Sequence, residues 1–219
     1  MSKFKGLNDD CRLEYFTELA EHKTRVHYLK SENIFKQGAF APYVIYVVKG
    51  LIKVYLQTGF DKQINISISK PGDFLAFSSI FGEPVHTYST QALTDAEICM
   101  IEKESLKQIL LDNPEYALKL TSKNYSNEKH LLEIIKNVSY KQMRGKLASA
   151  LLYLSNDDFQ KFDIFQLLTR QDLADFASIS AESAIKFLKE FEKERMLKLT
   201  GKAIEIIDAV KLENISKKG

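Results

Sequence analysis

The spacing of apolar residues changes abruptly near Lys103. Before this point the chain is a series of short runs rich in Val, Ile, Tyr and Phe. After it, apolar residues recur at helical spacing. Five glycines punctuate the first part: Gly38, Gly50, Gly59, Gly72 and Gly82. Many short strands with regular turn signals predict an antiparallel sandwich or barrel, so the chain should fold as a β-rich part followed by a helical part.

The strongest strand signal is the alternation in "INISIS". Ile64, Ile66 and Ile68 alternate with polar residues, which predicts a half-buried strand with its isoleucines inward. Other β-rich runs are "ENIFKQG", "YVIYVVKGLIKVYLQTG" and "YSTQALTDAEICMIEK". A helix is predicted ahead of them, from about Asn8 to Lys23, where leucine, phenylalanine and alanine recur at helix spacing.

A long helix is predicted after Pro114. The preceding segment, "KESLKQILLDN", should be a helix that ends near Asn113, because proline disfavours a helical residue before it. Proline suits the first turn of the next helix, which meets no breaker for over twenty residues. Its apolar residues recur at seven and widen near the end: Leu118, Tyr125, Leu132 and Ile135. This seam favours packing along a partner helix, such as a second copy, but also fits a helix within its own domain.

Composition indicates a globular protein. Hydrophobic residues make up 45% of the 219 residues, and the net charge is only +2, which by itself does not indicate nucleic acid. The excess positive charge lies after Val138, a weak sign of a basic face there. Cys11 and Cys99 form no disulfide framework, and the sequence shows no leader or membrane-length apolar run. We therefore expect a cytoplasmic protein without a membrane partner.

Two short helices joined by a tight turn are predicted in "TRQDLADFASISAESAIKFLKEFEKE". Thr169 and Asp172 have the spacing of a capping box, and Ser180 is placed to cap the second helix after a break at Ser178. The second helix has a predicted buried stripe of Ala184, Ile185, Leu188 and Phe191. Its exposed face carries Ala181, Glu182, Ser183, Lys186, Lys189 and Lys193.

This spacing matches a helix-turn-helix, in which first-turn residues of the second helix reach base edges in the major groove. A generic helical hairpin would explain the apolar stripe equally well. The alternating runs that flank Thr200-Gly201-Lys202 predict a β-hairpin directly afterwards, and this winged arrangement favours DNA binding. Lys198 and Lys202 would then lie near phosphate.

These segments together resemble the CRP/FNR family of bacterial transcription regulators. The resemblance rests on "IFKQG", "IYVVKGLIKVY" and "KPGDFLAFSSIFGE" in the β-rich part and on "TRQDLADFASISAESAIKFLKEFEKERML" in the helical part. It implies an α+β fold with an N-terminal antiparallel β-roll of the jelly-roll type, a long dimerisation helix and a C-terminal winged helix-turn-helix. The implied boundaries are 1–112, 113–138 and 139–219.

The resemblance also implies a DNA-binding face. By position, Thr169, Arg170, Gln171 and Ser180 match residues that contact phosphate, and Glu182 matches a glutamate that accepts from a cytosine amino group. Lys186 stands where the family usually has a base-reading arginine, and Ala181 where many members have another. The full expected face is Thr169, Arg170, Gln171, Ser180, Ala181, Glu182, Ser183, Lys186, Lys189 and Lys202.

The effector pocket departs from the family's cyclic-AMP pocket. Ala76-Phe77 stands in place of a Gly-Glu pair that approaches the phosphate and the ribose, and His86-Thr87 in place of an Arg-Ser pair. Because a buried phosphate without a cation is costly, we expect no cyclic AMP in the usual mode. The expected pocket residues are Phe74, Ala76, Phe77, Ser78, His86 and Thr87. They leave an apolar or acidic small-molecule effector, or none.

No cofactor is expected. An iron–sulfur cluster usually needs four thiolates, and only Cys11 lies near the N-terminus. Haem needs an axial ligand, but the histidines are scattered: His22, His27, His86 and His130. We also find no catalytic triad, phosphate loop or metal-ligand cluster, so an enzyme is not expected.

The sequence thus favours a homodimeric regulator that binds a near-palindromic site on double-stranded DNA and works with RNA polymerase. The alternative is a ligand-sensing interaction module that has lost specific DNA binding. Ala181 and the modest charge favour that alternative.

Overall fold

A computed structural model describes residues 23–60 and 62–218. Within these ranges the chain forms two compact units. The first contains residues 23–57 and 67–124, and the second contains 58–66 (except 61) and 125–218. The helix predicted from Asn8 lies outside the described residues, except for Lys23, which begins a strand.

Eight strands form two antiparallel four-stranded sheets with the orders β1-β8-β3-β6 and β2-β7-β4-β5. The strands are β1 (Lys23–Tyr28), β2 (Asn33–Phe35), β3 (Tyr43–Lys49), β4 (Ile52–Gly59), β5 (Lys62–Ser69), β6 (Phe74–Leu75), β7 (Ser89–Ala92) and β8 (Ala96–Glu102). The predicted β-rich part is thus confirmed, although β1 was not recognised as a strand in the sequence.

The core of the first unit joins one sheet to the helix that follows it. Val44, Cys99 and Ile101 pack with Leu106 of α1 (Lys103–Asp112), all with no measurable exposure. Gly50 makes the turn between β3 and β4 at φ +89°, and a Cβ there would lie 2.4 Å from the Asp95 carbonyl oxygen. Only glycine fits both requirements at this turn.

The predicted alternation in β5 is wrong. Asn65, expected to face solvent, is 1% exposed, whereas Ile64 and Ile66 are only partly buried. The reason is a specific partner: the Asn65 side-chain amide donates to the carbonyl oxygen of Asp172 at 3.0 Å. Because the Asn65 amide has a hydrogen-bond partner, it can be buried at little cost. Its polarity therefore led to the wrong prediction of the face on which the side chain lies.

The long helix α2 runs from Pro114 to Tyr140 and begins where the sequence predicts. Three of its seam residues are largely exposed: Leu118, Leu132 and Ile135. Tyr125 lies in the part of α2 whose side chains fall outside the description. None of these three residues belongs to the core, and their packing against a second copy stays a prediction.

The second unit is mostly helical. Its further elements are α3 (Met143–Leu154), α4 (Ile164–Leu167), α5 (Arg170–Ala177), α6 (Ala181–Lys193), β9 (Leu197–Thr200), β10 (Ala203–Ile206) and α7 (Ala209–Lys218). The segment after Ser155 contains α4 and a short 3-10 helix, with Phe159 and Ile164 buried. The terminal helix α7, which was not predicted, packs on α3. In the described ranges, no helix is long and apolar enough to cross a membrane.

Candidate functional site

The predicted helix pair is confirmed. Thr169 Oγ1 accepts from the Asp172 backbone N–H at 3.0 Å, while the Thr169 N–H donates to Asp172 Oδ2 at 2.9 Å, which is a reciprocal capping box. The helix α5 ends where Ser178 adopts a left-handed conformation at φ 52°. Thr169 therefore uses its hydroxyl to begin the helix, whatever else it contacts.

The second helix of the pair begins at a matching cap. Ser180 Oγ accepts from the Ser183 N–H at 3.2 Å. Ala184, Leu188 and Phe191 are at most 2% exposed, as predicted for the buried stripe of α6. Ile185 was predicted to be in this stripe but is 41% exposed. It follows Ala184 by one residue, about 100° around the helix, which moves it onto the solvent face.

The exposed face of α6 carries a glutamate in its first turn and lysines further along. Hydrogen bonds from its own backbone N–H and from the Ser180 hydroxyl lower the pKa of Glu182, so its exposed carboxylate is ionised and accepts hydrogen bonds only. Lys186 and Lys189 are exposed further along the helix. Ala181 and Ser183 in the first turn are partly buried. This face presents an acceptor at its start and cations behind it.

Arg170 connects α5 to the hairpin. One guanidinium nitrogen donates to the Gly201 carbonyl oxygen at 2.8 Å and the other to the Lys202 carbonyl oxygen at 3.4 Å. Burial lowers the pKa of Arg170. The hairpin pairs Thr200 with Ala203 around a two-residue turn, as the sequence predicts. Lys198 and Lys202 project from it with high exposure.

Gln171 is exposed, but its side chain is hydrogen-bonded to Asp175, a buried residue of the same helix that was not predicted to have a role. Gln171 Nε2 donates to Asp175 Oδ1 at 2.8 Å, and Gln63 Nε2 donates to Asp175 Oδ2 at 2.7 Å. Gln63 and Asn65 belong to the part of the β4–β5 hairpin that lies in this unit. The sequence does contain a signal for this role, because Asp175 is a carboxylate at a position of α5 that faces the interior.

A small pocket in the first unit brings together four of the six expected effector residues. Ala76, Ser78, His86 and Thr87 line it, but it has no volume open to a water molecule. The other two, Phe74 and Phe77, lie in a series of edge-to-face aromatic contacts that runs from Tyr46 to Phe81.

The pocket holds an unusual histidine. The His86 ring stacks on Phe35 with centroids 3.8 Å apart, and burial lowers its pKa. His86 Nδ1 and Ser79 Oγ are buried without a hydrogen-bond partner. The Tyr88 hydroxyl accepts from the Ala76 N–H at 2.7 Å, and burial raises the pKa of Tyr88 to about 12. The pocket is therefore uncharged and has no described cation to offset a phosphate.

Two family models match the chain in succession. Residues 25–113 match the cyclic nucleotide-binding domain, and residues 145–215 match the Crp-like helix-turn-helix domain. Together with the β-roll, the long helix and the winged helix pair, these matches define a DNA-binding transcription regulator. The chain belongs to the CRP/FNR family.

The chain is similar in sequence to curated relatives and in fold to solved structures. The chain is 26% identical over 202 residues to the cAMP-activated global transcriptional regulator CRP of Salmonella typhimurium, covering 90% of this chain and 94% of that protein. The fold is similar to a CooA mutant from Carboxydothermus hydrogenoformans (TM-score 0.75, 18% identity, 95% and 96% coverage). It is also similar to the c-di-GMP responsive global regulator CLP of Xanthomonas campestris (TM-score 0.73, 18% identity, 85% and 94% coverage).

Proposed function

We propose that the chain acts as a cytoplasmic homodimer that binds a near-palindromic DNA site and reads it with α6. The observation that carries the proposal is the face of α6, where an ionised Glu182 precedes exposed Lys186 and Lys189. The buried stripe of Ala184, Leu188 and Phe191 fixes this face outward. A glutamate can accept from cytosine, and the lysines can donate to guanine or phosphate.

The wing adds a sequence-independent contact. Lys198 and Lys202 are exposed on the hairpin that Arg170 holds against α5. Each phosphate neutralised by a cation makes the fall of log affinity with log salt steeper by about 0.9. Thr169, Gln171 and Ser180 stand at helix starts, where backbone N–H groups also favour phosphate.

Selection from randomised duplex DNA with the full chain tests the proposal. A symmetric sequence should be enriched, with half-sites about one helical turn apart. Glu182→Gln should relax the preference at one base pair per half-site, while Glu213→Gln on α7 serves as a matched control. Failure to enrich any sequence would favour the alternative, a ligand-sensing module without specific DNA binding.

We propose further that the β-roll is not controlled by cyclic AMP bound in the usual mode. A neutral His86 stands in the pocket with Ala76, and the pocket is closed to water. Regulation would then come from an apolar or acidic small-molecule effector that opens the pocket, or from none. Calorimetry with cyclic AMP and cyclic GMP should show no heat of binding at micromolar concentrations, and binding of either would contradict this.

The relatives do not share one effector. One relative is described as cAMP-activated and one structural neighbour as c-di-GMP responsive, so effectors differ among proteins of this fold. An occupied β-roll would act by shifting the population of C-terminal orientations between two states. Contact with RNA polymerase, for activation or repression, belongs to the same proposal.

A further inference from the structure

An aliphatic side chain interrupts the charged face of α6. Ile185 is 41% exposed, while Ala184 and Leu188 are 0% and 2% exposed. Residues three or four positions apart share a helix face, so Ile185 lies on the face that carries Glu182 and Lys189. Ala181 precedes it by one turn on that face. Two apolar side chains therefore stand where base-reading groups are proposed to lie.

We infer that Ile185 is a specificity-determining residue that selects thymine through its 5-methyl group, with Ala181 extending the apolar contact. This inference rests on the proposed DNA-binding function. Thymine alone presents a methyl group in the major groove. Ile185 has no polar side-chain atom, so it cannot replace the water that a cytosine amino group loses on contact. Both effects favour thymine over cytosine at the same position.

The geometry of the helix places this contact beside the one made by Glu182. Three residues of an α-helix rise about 4.5 Å, whereas successive base pairs are separated by about 3.4 Å. Ile185 therefore faces the base pair next to the one that Glu182 contacts. We expect each half-site to combine a C·G pair, read by the carboxylate, with a neighbouring T·A pair, read by the isoleucine.

Deoxyuridine provides a direct probe, because it differs from thymidine only in lacking the 5-methyl group. Each thymine of one half-site in the selected operator is replaced singly, and binding of the full chain is measured by fluorescence anisotropy. At one thymine the replacement should weaken binding by about fourfold, the equivalent of one buried methyl group. The same replacement should leave binding by Ile185→Ala unchanged.

Two variants serve as controls. Ile207→Ala removes an exposed aliphatic residue outside α6 and should keep the full sensitivity to deoxyuridine. Ile185→Val removes a single methylene and should give an intermediate sensitivity. A urea unfolding curve for each variant verifies that it folds, and Ile185→Val keeps the test available if Ile185→Ala does not.

The outcomes separate this inference from the function on which it rests. Enrichment of an operator whose binding is indifferent to every thymine methyl would overturn the role of Ile185 alone. Equal sensitivity of Ile185→Ala and the unmodified protein would do the same. Failure to enrich any operator would overturn the proposed function, and the thymine contact with it.

Discussion

The Arg170 guanidinium donates to the Gly201 carbonyl oxygen at 2.8 Å, across the gap between the first helix of the pair and the wing. Gly201 has a positive φ of 60° and makes the turn of the wing with Lys202. Sequence matching assigned Arg170 to DNA phosphate. In the structure its donors are directed to backbone carbonyls, which makes it a residue that positions the wing.

We therefore predict that Arg170 and Lys202 act as one unit in DNA binding. Lys202→Ala should reduce the salt slope by about 0.9, the loss of one phosphate contact. Arg170→Ala should weaken binding as well, and the double variant should bind like Arg170→Ala, since an unanchored wing no longer places Lys202. Salt titrations of all four proteins measure this. Additive losses would instead assign Arg170 its own phosphate.

Asp175 is predicted to hold the β4–β5 hairpin in the second unit. Its two carboxylate oxygens accept from Gln63 and from Gln171 at 2.7 and 2.8 Å. Asp175→Ala leaves both amides without this partner and should lower the free energy of unfolding by about 1–3 kcal/mol. Urea unfolding measures the loss, with exposed Asp157→Ala as a control. Asp175→Ala combined with Gln63→Ala should lose less than the sum of the single changes.

His86 predicts a pH dependence of stability. Its pKa is lowered in the folded state by burial, so between the folded pKa and about 6.5 the unfolded chain binds more protons than the folded chain. Stability from this residue is fully present above the unfolded pKa and is lost as pH falls towards the folded pKa. Unfolding by urea at pH 7.5 and 5.5 should show a smaller difference for His86→Phe than for the unmodified protein. Equal differences would contradict this account, and His27→Phe on β1 is the control.

The exposed seam of α2 predicts dimer formation. Leu132 and Ile135 are 61% and 60% exposed, which leaves a contiguous aliphatic surface for a second copy. Leu132→Glu should place a charge in that interface and shift sedimentation equilibrium towards the monomer. Glu133→Leu, one position away, is the matched control for a change of charge on the same helix. If the unmodified protein is a monomer, the prediction that α2 forms a dimer interface is wrong.

Much of the fold could be predicted from the sequence because it depends on residues that are close together in the chain. Glycine turns, Pro114, the capping pair Thr169 and Asp172, and the turn at Gly201 are set by backbone chemistry within a few residues. They gave the order of strands and helices and nearly the full bounds of the helix pair. The long helix and the wing followed from that order, while the β-roll was implied by the resemblance to the CRP/FNR family.

The direction of Asn65 was misplaced because it depends on a distant partner. Asn65 is buried against a carbonyl oxygen more than one hundred positions away. The prediction that Ile185 is buried was wrong for a different reason. Helical spacing does not determine whether a residue at the edge of an apolar stripe is buried. Hydrophobicity alone assigned Ile185 to the core. Its exposure places this edge of the stripe on the solvent face of α6.

The hairpin segment 58–66 completes a unit whose remaining residues begin at 125. The residues from 125 onward therefore do not form this unit by themselves. A chimaera joined near residue 139 would separate the winged helix pair from Gln63 and Asn65, which donate to Asp175 and to the Asp172 carbonyl oxygen. We therefore expect a chimaera with a relative's DNA-binding domain to fold only if residues 58–66 come from the same protein as the helices that they contact.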